Sequence, residues 1–127
     1  MEPQKGDAAV GEELGSIRIT DKVIAVCAAK AALETSGVYG LVSDFSDTIQ
    51  KNILGKTSES RGVKISQNDG EIVIDLHITV EYGVKIPSVA WNVQEKVKRE
   101  VEELTGMKVT FVNIHVQSIH FEENREG

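Results

Sequence analysis

Four side chains are the natural candidates for chemistry: His77, His115, His120 and Cys27. A zinc site needs three or four ligands that converge on one point. His115 and His120 are five apart in an apolar-rich stretch that reads as a strand, so a regular strand points them to opposite faces. His77 can lie across from His115 on an exposed sheet face, and Cys27 is far from all three in sequence. Surface histidines are the expectation, with no metal ligands and no cofactor. Cys27 falls between Val23 and Ala31 on an apolar helix stripe, where a thiol behaves as a small hydrophobe rather than a nucleophile. No Gly-x-Ser-x-Gly elbow and no Walker-type phosphate loop occurs. Asp75 and Glu81 sit on what reads as the polar side of a strand, where charge is ordinary. Gly37-Val38-Tyr39-Gly40 has the Gly-x-x-Gly spacing of KH-type RNA clamps. Its interior is Val-Tyr rather than basic, and it reads as a helix stop and strand entry. The expectation is a protein that is not an enzyme.

Trp91 is the residue that packing does not absorb. On a helix with a stripe of Ile86, Val89, Ala90, Val93, Val97, Val101 and Leu104, it lies well off the stripe centre, on the side of Lys98 and Glu102. It either flanks the sheet edge or faces a partner. Trp91, Lys98 and Glu102 are therefore the candidate partner interface.

The elements that must position these residues follow from periodicity. GSIRIT (15–20) reads as a short strand with Ile17 and Ile19 on one face, and Thr20 or Asp21 can cap the helix after it. That helix carries Val23, Cys27 and Ala31, with Ile24 and Ala28 beside them, and stops at Gly37 before a second short strand, VYGLV. Phe45, Ile49 and Ile53 or Leu54 are spaced for a short amphipathic helix ending at Gly55, and KTSESRG after it reads as a loop. Val63 to Gln67 and Ile72 to Tyr82 alternate around Asn68-Asp69-Gly70, the strongest hairpin signal in the chain. Ile72, Ile74, Leu76, Ile78, Val80 and Tyr82 form the buried row. Pro87 opens the last helix and Gly106 stops it. In the final strand Met107, Val109 and Phe111 hold one phase and Val112, Ile114 and Val116 the other, which implies a bulge or a strand partly covered on both sides.

The fold class expected is α+β in two layers: two main helices plus a short helix on one face of a mixed, roughly five-stranded sheet with a central antiparallel hairpin. The first and last helices each serve as a parallel crossover. Residues 1–14 read as a disordered tail, 15–121 as one domain and 122–127 as a frayed acidic tail. The 127 residues suit one core, and a net charge of −6 opposes a broad phosphate-binding surface. One cysteine cannot form an internal disulfide, which fits a reducing compartment. MEPQKGDAAVGEELG has no apolar signal core, and no apolar run of about 18 residues is present. Together these read as a soluble cytoplasmic protein.

The order of GSIRITDKVIAVCAAKAALETSGVYGLV, the hairpin GVKI and YGVKIPSVAWNVQEKVKREVEELTGMKVTFVNIHVQSIHF resembles the alkaline shock protein family of bacterial, mostly Gram-positive, envelope-stress proteins. The resemblance covers about residues 15–121. It implies a non-catalytic cytoplasmic interaction or scaffold protein of cell-envelope or alkaline-stress homeostasis. It also implies a homo-oligomer, and a further partner such as a membrane anchor or a lipid-synthesis enzyme, with a link to fatty-acid synthesis. On that basis the protein would be peripheral to the membrane only through its partner, with no direct insertion and no nucleic acid. The competing readings are an RNA-binding module and a small regulatory subunit of a metabolic enzyme.

Overall fold

The computed structural model describes residues 14–43, 58–60 and 62–122. Residues 1–13 and 123–127 of the expected tails, and the short helix expected over 44–55, lie outside the described residues. Thr20 opens the first helix, α1 (Asp21–Leu33), its hydroxyl accepting from the Val23 N–H at 3.4 Å. The chain then forms β1 (Val38–Leu41), β2 (Ser58–Ser60), β3 (Val63–Asn68) and β4 (Glu71–Glu81). It continues through α2 (Ile86–Thr105) into β5 (Lys108–His120).

The hairpin is where the sequence placed it. Asn68 pairs with Glu71, and Asp69 and Gly70 take positive φ of 49° and 80°, the primed turn that matches strand twist. β4 is the spine. Its one edge carries β3 along the first half and β1 along the second, both antiparallel, with β2 outside β3. Its other edge carries β5, parallel and along its whole length, joined through α2 as a strand–helix–strand crossover. Among the described residues the sheet is therefore mixed and five-stranded, with β5 at an edge.

Ile72, Ile74, Leu76, Ile78 and Val80 turn one side of β4 to the helices and are at most 1% exposed. Val63 and Ile65 extend that face, and Ile24, Ala28, Ala31 and Ala32 of α1 and Val93, Val97 and Val101 of α2 cover it. Burying these branched side chains stabilises the fold by about 1.5–3 kcal/mol each.

Several expectations need correction. Residues 15–20 form no strand and Ile17 is exposed, so of the two described helices only the last is a crossover. The fifth strand is β2, drawn from the expected KTSESRG loop: Ser58 to Ser60 pair with Ile65 to Val63. α1 ends at Leu33, where the Glu34 N–H closes the last turn, rather than running to Gly37. Its buried face is Ile24, Ala25, Ala28, Ala31 and Ala32, and Val23 and Cys27 are rotated toward the rim. Leu104 is likewise exposed. β4 stops at Glu81, leaving Tyr82 exposed and stacked on Phe121 at 4.7 Å instead of in the buried row.

The phase change in the last strand has its physical cause in the first of two register shifts, and the second, after Val116, flips the alternation back. One lies between the Ile72 and Val73 pairings and the other between those of Ile78 and Thr79. Each extra residue in β5 flips the alternation once.

Candidate interaction surface

α2 presents three faces. Its valine stripe is buried, its outer side is solvated, and a third row runs along the edge strand β5. Trp91, Gln94, Lys98 and Glu102 recur at three- and four-residue spacing, which puts them on one line of the helix. Because α2 returns against the direction of β5, that line meets the strand in reverse order. Gln94 Nε2 donates to the Val112 carbonyl at 3.0 Å, and Lys98 Nζ to the Val109 carbonyl at 3.0 Å. Glu102 Oε2 accepts from the Val109 N–H at 2.9 Å and from Lys98 Nζ at 2.9 Å. The Val109 amide first, then Lys98, hold the Glu102 carboxyl below the ordinary glutamate range. An unpaired strand edge is a template for another chain, and here helix side chains occupy its first part.

Trp91 is the next member of the row and has no such partner among the described residues. It is 59% exposed and lines a shallow concavity of about 700 Å³ with Gln94, Glu95, Lys98, Arg99 and Glu102. The structure thus brings together Trp91, Lys98 and Glu102, and puts Trp91 at the flank of the sheet with most of its surface uncovered. Gln94 escaped the sequence reading. Its only signal is the four-residue series with Lys98 and Glu102, which reads as any solvated helix face.

The sheet side away from the helices carries all three histidines. His77 and His115 stack at 4.5 Å, His77 Nδ1 lies 2.8 Å from Gln117 Oε1, and His115 Nε2 lies 3.3 Å from Asp75. The expectation that His120 points to the opposite face from His115 is corrected by the second register shift, which returns it to this side opposite Glu81. There it stacks on Tyr39 at 3.8 Å, with Nδ1 3.6 Å from Glu81, beyond hydrogen-bond reach. Among the described residues no cluster of three or more His, Cys, Asp or Glu side chains has metal-binding geometry. Cys27 faces a second groove with Val23, Val26 and Leu104, and burial pushes its thiol pKa up, aided by Glu100. A raised thiol is a weak nucleophile. Gly37 and Gly40 do not join two helices: Gly37 packs on Val89 and the chain runs directly into β1.

Residues 9–121 match a family of cell envelope-related function, and the chain belongs to that family, the alkaline shock proteins. It is 43% identical to YloU of Bacillus subtilis over 107 residues, 83% of this chain and 88% of that protein. It is 35% identical to YqhY of the same organism, over 86% of this chain and 80% of that one. A stress response regulator gls24 homolog of Streptococcus pyogenes is 26% identical, with 89% of this chain matching 63% of it. Among solved structures, the manganese form of the MamM CTD is similar at TM-score 0.48 and 13% identity, covering 78% of this chain and 99% of that one. Among the described residues no helix is long and apolar enough to cross a membrane.

Proposed function

We propose that this chain is a non-catalytic interaction protein of cell-envelope and stress homeostasis that assembles with itself and with a protein partner through the α2–β5 flank. Membership of an envelope-related family supports the setting. The observation that carries the surface is Trp91: a large aromatic, 59% exposed, beside a strand edge that its own helix only partly covers. Exposed tryptophans bounded by polar rims are frequent anchors of protein interfaces. A link to a membrane anchor or a fatty-acid synthesis enzyme belongs to the same reading, with that enzyme or anchor as the partner met on this flank.

Sedimentation of the full chain and of Trp91→Ala tests it. The wild type is expected to sediment as a homo-oligomer and the variant to shift toward monomer. The melting temperature should move by no more than about 2 °C, as for a surface truncation within about 0.5 kcal/mol. A large loss of stability with unchanged assembly would show that Trp91 packs its own sheet and would end this reading. Used as paired baits at neutral and alkaline pH, the two proteins should also differ in what they capture from the native cell.

A further inference from the structure

The helix side chains leave part of the β5 edge uncovered, and what they leave has a definite register. In a strand, alternate residues turn both backbone groups to the same edge. Val109 and Val112 turn theirs outward, to Glu102, Lys98 and Gln94. Beyond Val112 the strand is regular up to the shift after Val116, so Ile114 and Val116 also turn outward. Among the described residues nothing bonds these outward groups. The free segment is bounded on one side by the capped Val112 and on the other by the bulge at Gln117.

We propose that this gap is filled by the same strand of a second copy, antiparallel, about a twofold axis at His115. This rests on the self-association proposed above and adds its surface and register. With the axis at His115, Ile114 of one copy faces Val116 of the other, and the two exchanged pairs use only uncapped residues. An axis at Ile114 would instead set Val116 opposite Val112, whose carbonyl already accepts from Gln94. The caps therefore select the register.

Two features favour a second copy over a strand of a different protein. Stable interfaces bury about 1,200–2,000 Å², more than so short a strand pairing covers. Trp91 lies about 4.5 Å along the helix axis beyond Gln94, or little more than one strand residue, which sets it level with Asn113 and Ile114 at the start of the free segment. A twofold contact brings in two such tryptophans and two copies of Ile119, itself 42% exposed. The flank also carries both signs, with Glu95, Glu102 and Glu103 beside Lys98 and Arg99, so two copies can set cation against carboxylate and share an excess of one negative charge each.

Cysteine cross-linking in a Cys27→Ser background reads the register. Residues that face the spine strand form the close pairs across the new edge, with Cα atoms about 4.5 Å apart, within disulfide range. His115→Cys is expected to give a covalent dimer on mild oxidation. Ile114→Cys and Val116→Cys, an exchanged pair with Cα atoms about 5.5 Å apart, should cross-link when mixed, but neither should alone, and Lys22→Cys on α1 should stay uncross-linked. The mixed pair keeps the test decisive if His115→Cys folds poorly. An oligomer in sedimentation with no cross-link at either position would overturn this pairing while leaving self-association standing. A monomer at all concentrations would overturn both and leave the edge to an extended segment of another protein.

Discussion

The Oε2 atom of Glu102 accepts from both the Val109 N–H and Lys98, and those donors hold the carboxyl in its charged form. A depressed folded-state pKa contributes stability above the unfolded value, about 4.3, that is lost as pH falls through the folded value. The melting temperature of the wild type should therefore fall more between pH 5 and pH 3 than that of Glu102→Gln, whose amide oxygen can still accept but does not titrate. Equal slopes would detach Glu102 from the acid response. Gly37 makes a different demand. Its φ is +96°, and a Cβ there would sit 2.6 Å from Val89 Cγ2. Gly37→Ala should cost about 1–3 kcal/mol in chemical denaturation, and more than Gly83→Ala, where φ is +97° but a Cβ meets nothing within 4 Å. At this scale the sequence was partly legible. Trp91's departure from the core stripe could be read from periodicity alone, as could the pairing of His77 with His115. His120 could not, because the phase change legible in the sequence marks only the first extra residue in β5, and the direction of His120 depends on the second, at Gln117, where too few apolar residues follow to show a new phase.

At the scale of elements, β4 and α2 were readable because each mixes strongly apolar with strongly polar positions, so a single phase fits. α1 was recognisable as a helix but not in its orientation. With Ala25, Ala28, Ala29, Ala31 and Ala32 spread around it, several faces look equally buriable, and contact with α2 and the sheet decides among them. Ser58 to Ser60 carried no strand signal, since an edge strand held by β3 needs no apolar row of its own. The packing can be tested directly. Ile74→Ala should cost about 2–5 kcal/mol, as for a branched residue with no exposure, whereas Val26→Ala, at 65% exposed, should stay within about 0.5 kcal/mol. The cap row is an element-level device too. Replacing Gln94 and Lys98 together by Leu and Met would release the Val109 and Val112 carbonyls to solvent and lengthen the free edge. Light scattering of the double variant should show concentration-dependent aggregation that the wild type lacks.

Across the whole molecule, order should grade outward from β4, which is paired with β5 along one edge and with β3 and β1 along the other, under the core that both helices cover. Its amides from Ile72 to Val80 should exchange slowest, opening only with global unfolding. β5 divides differently. The amides of Asn113 and His115 bond inward to the spine, so they should be protected at any protein concentration. Those of Ile114 and Val116 point to the uncovered edge, so in a monomer they should exchange like solvent-facing groups despite lying in the middle of a strand. If two copies join through that edge, raising the concentration should slow Ile114 and Val116 while Asn113 and His115 barely change. Val109, already donating to Glu102, should be insensitive to concentration. An even slowing along all of β5 would instead mean that assembly stiffens the domain as a whole and does not extend its sheet.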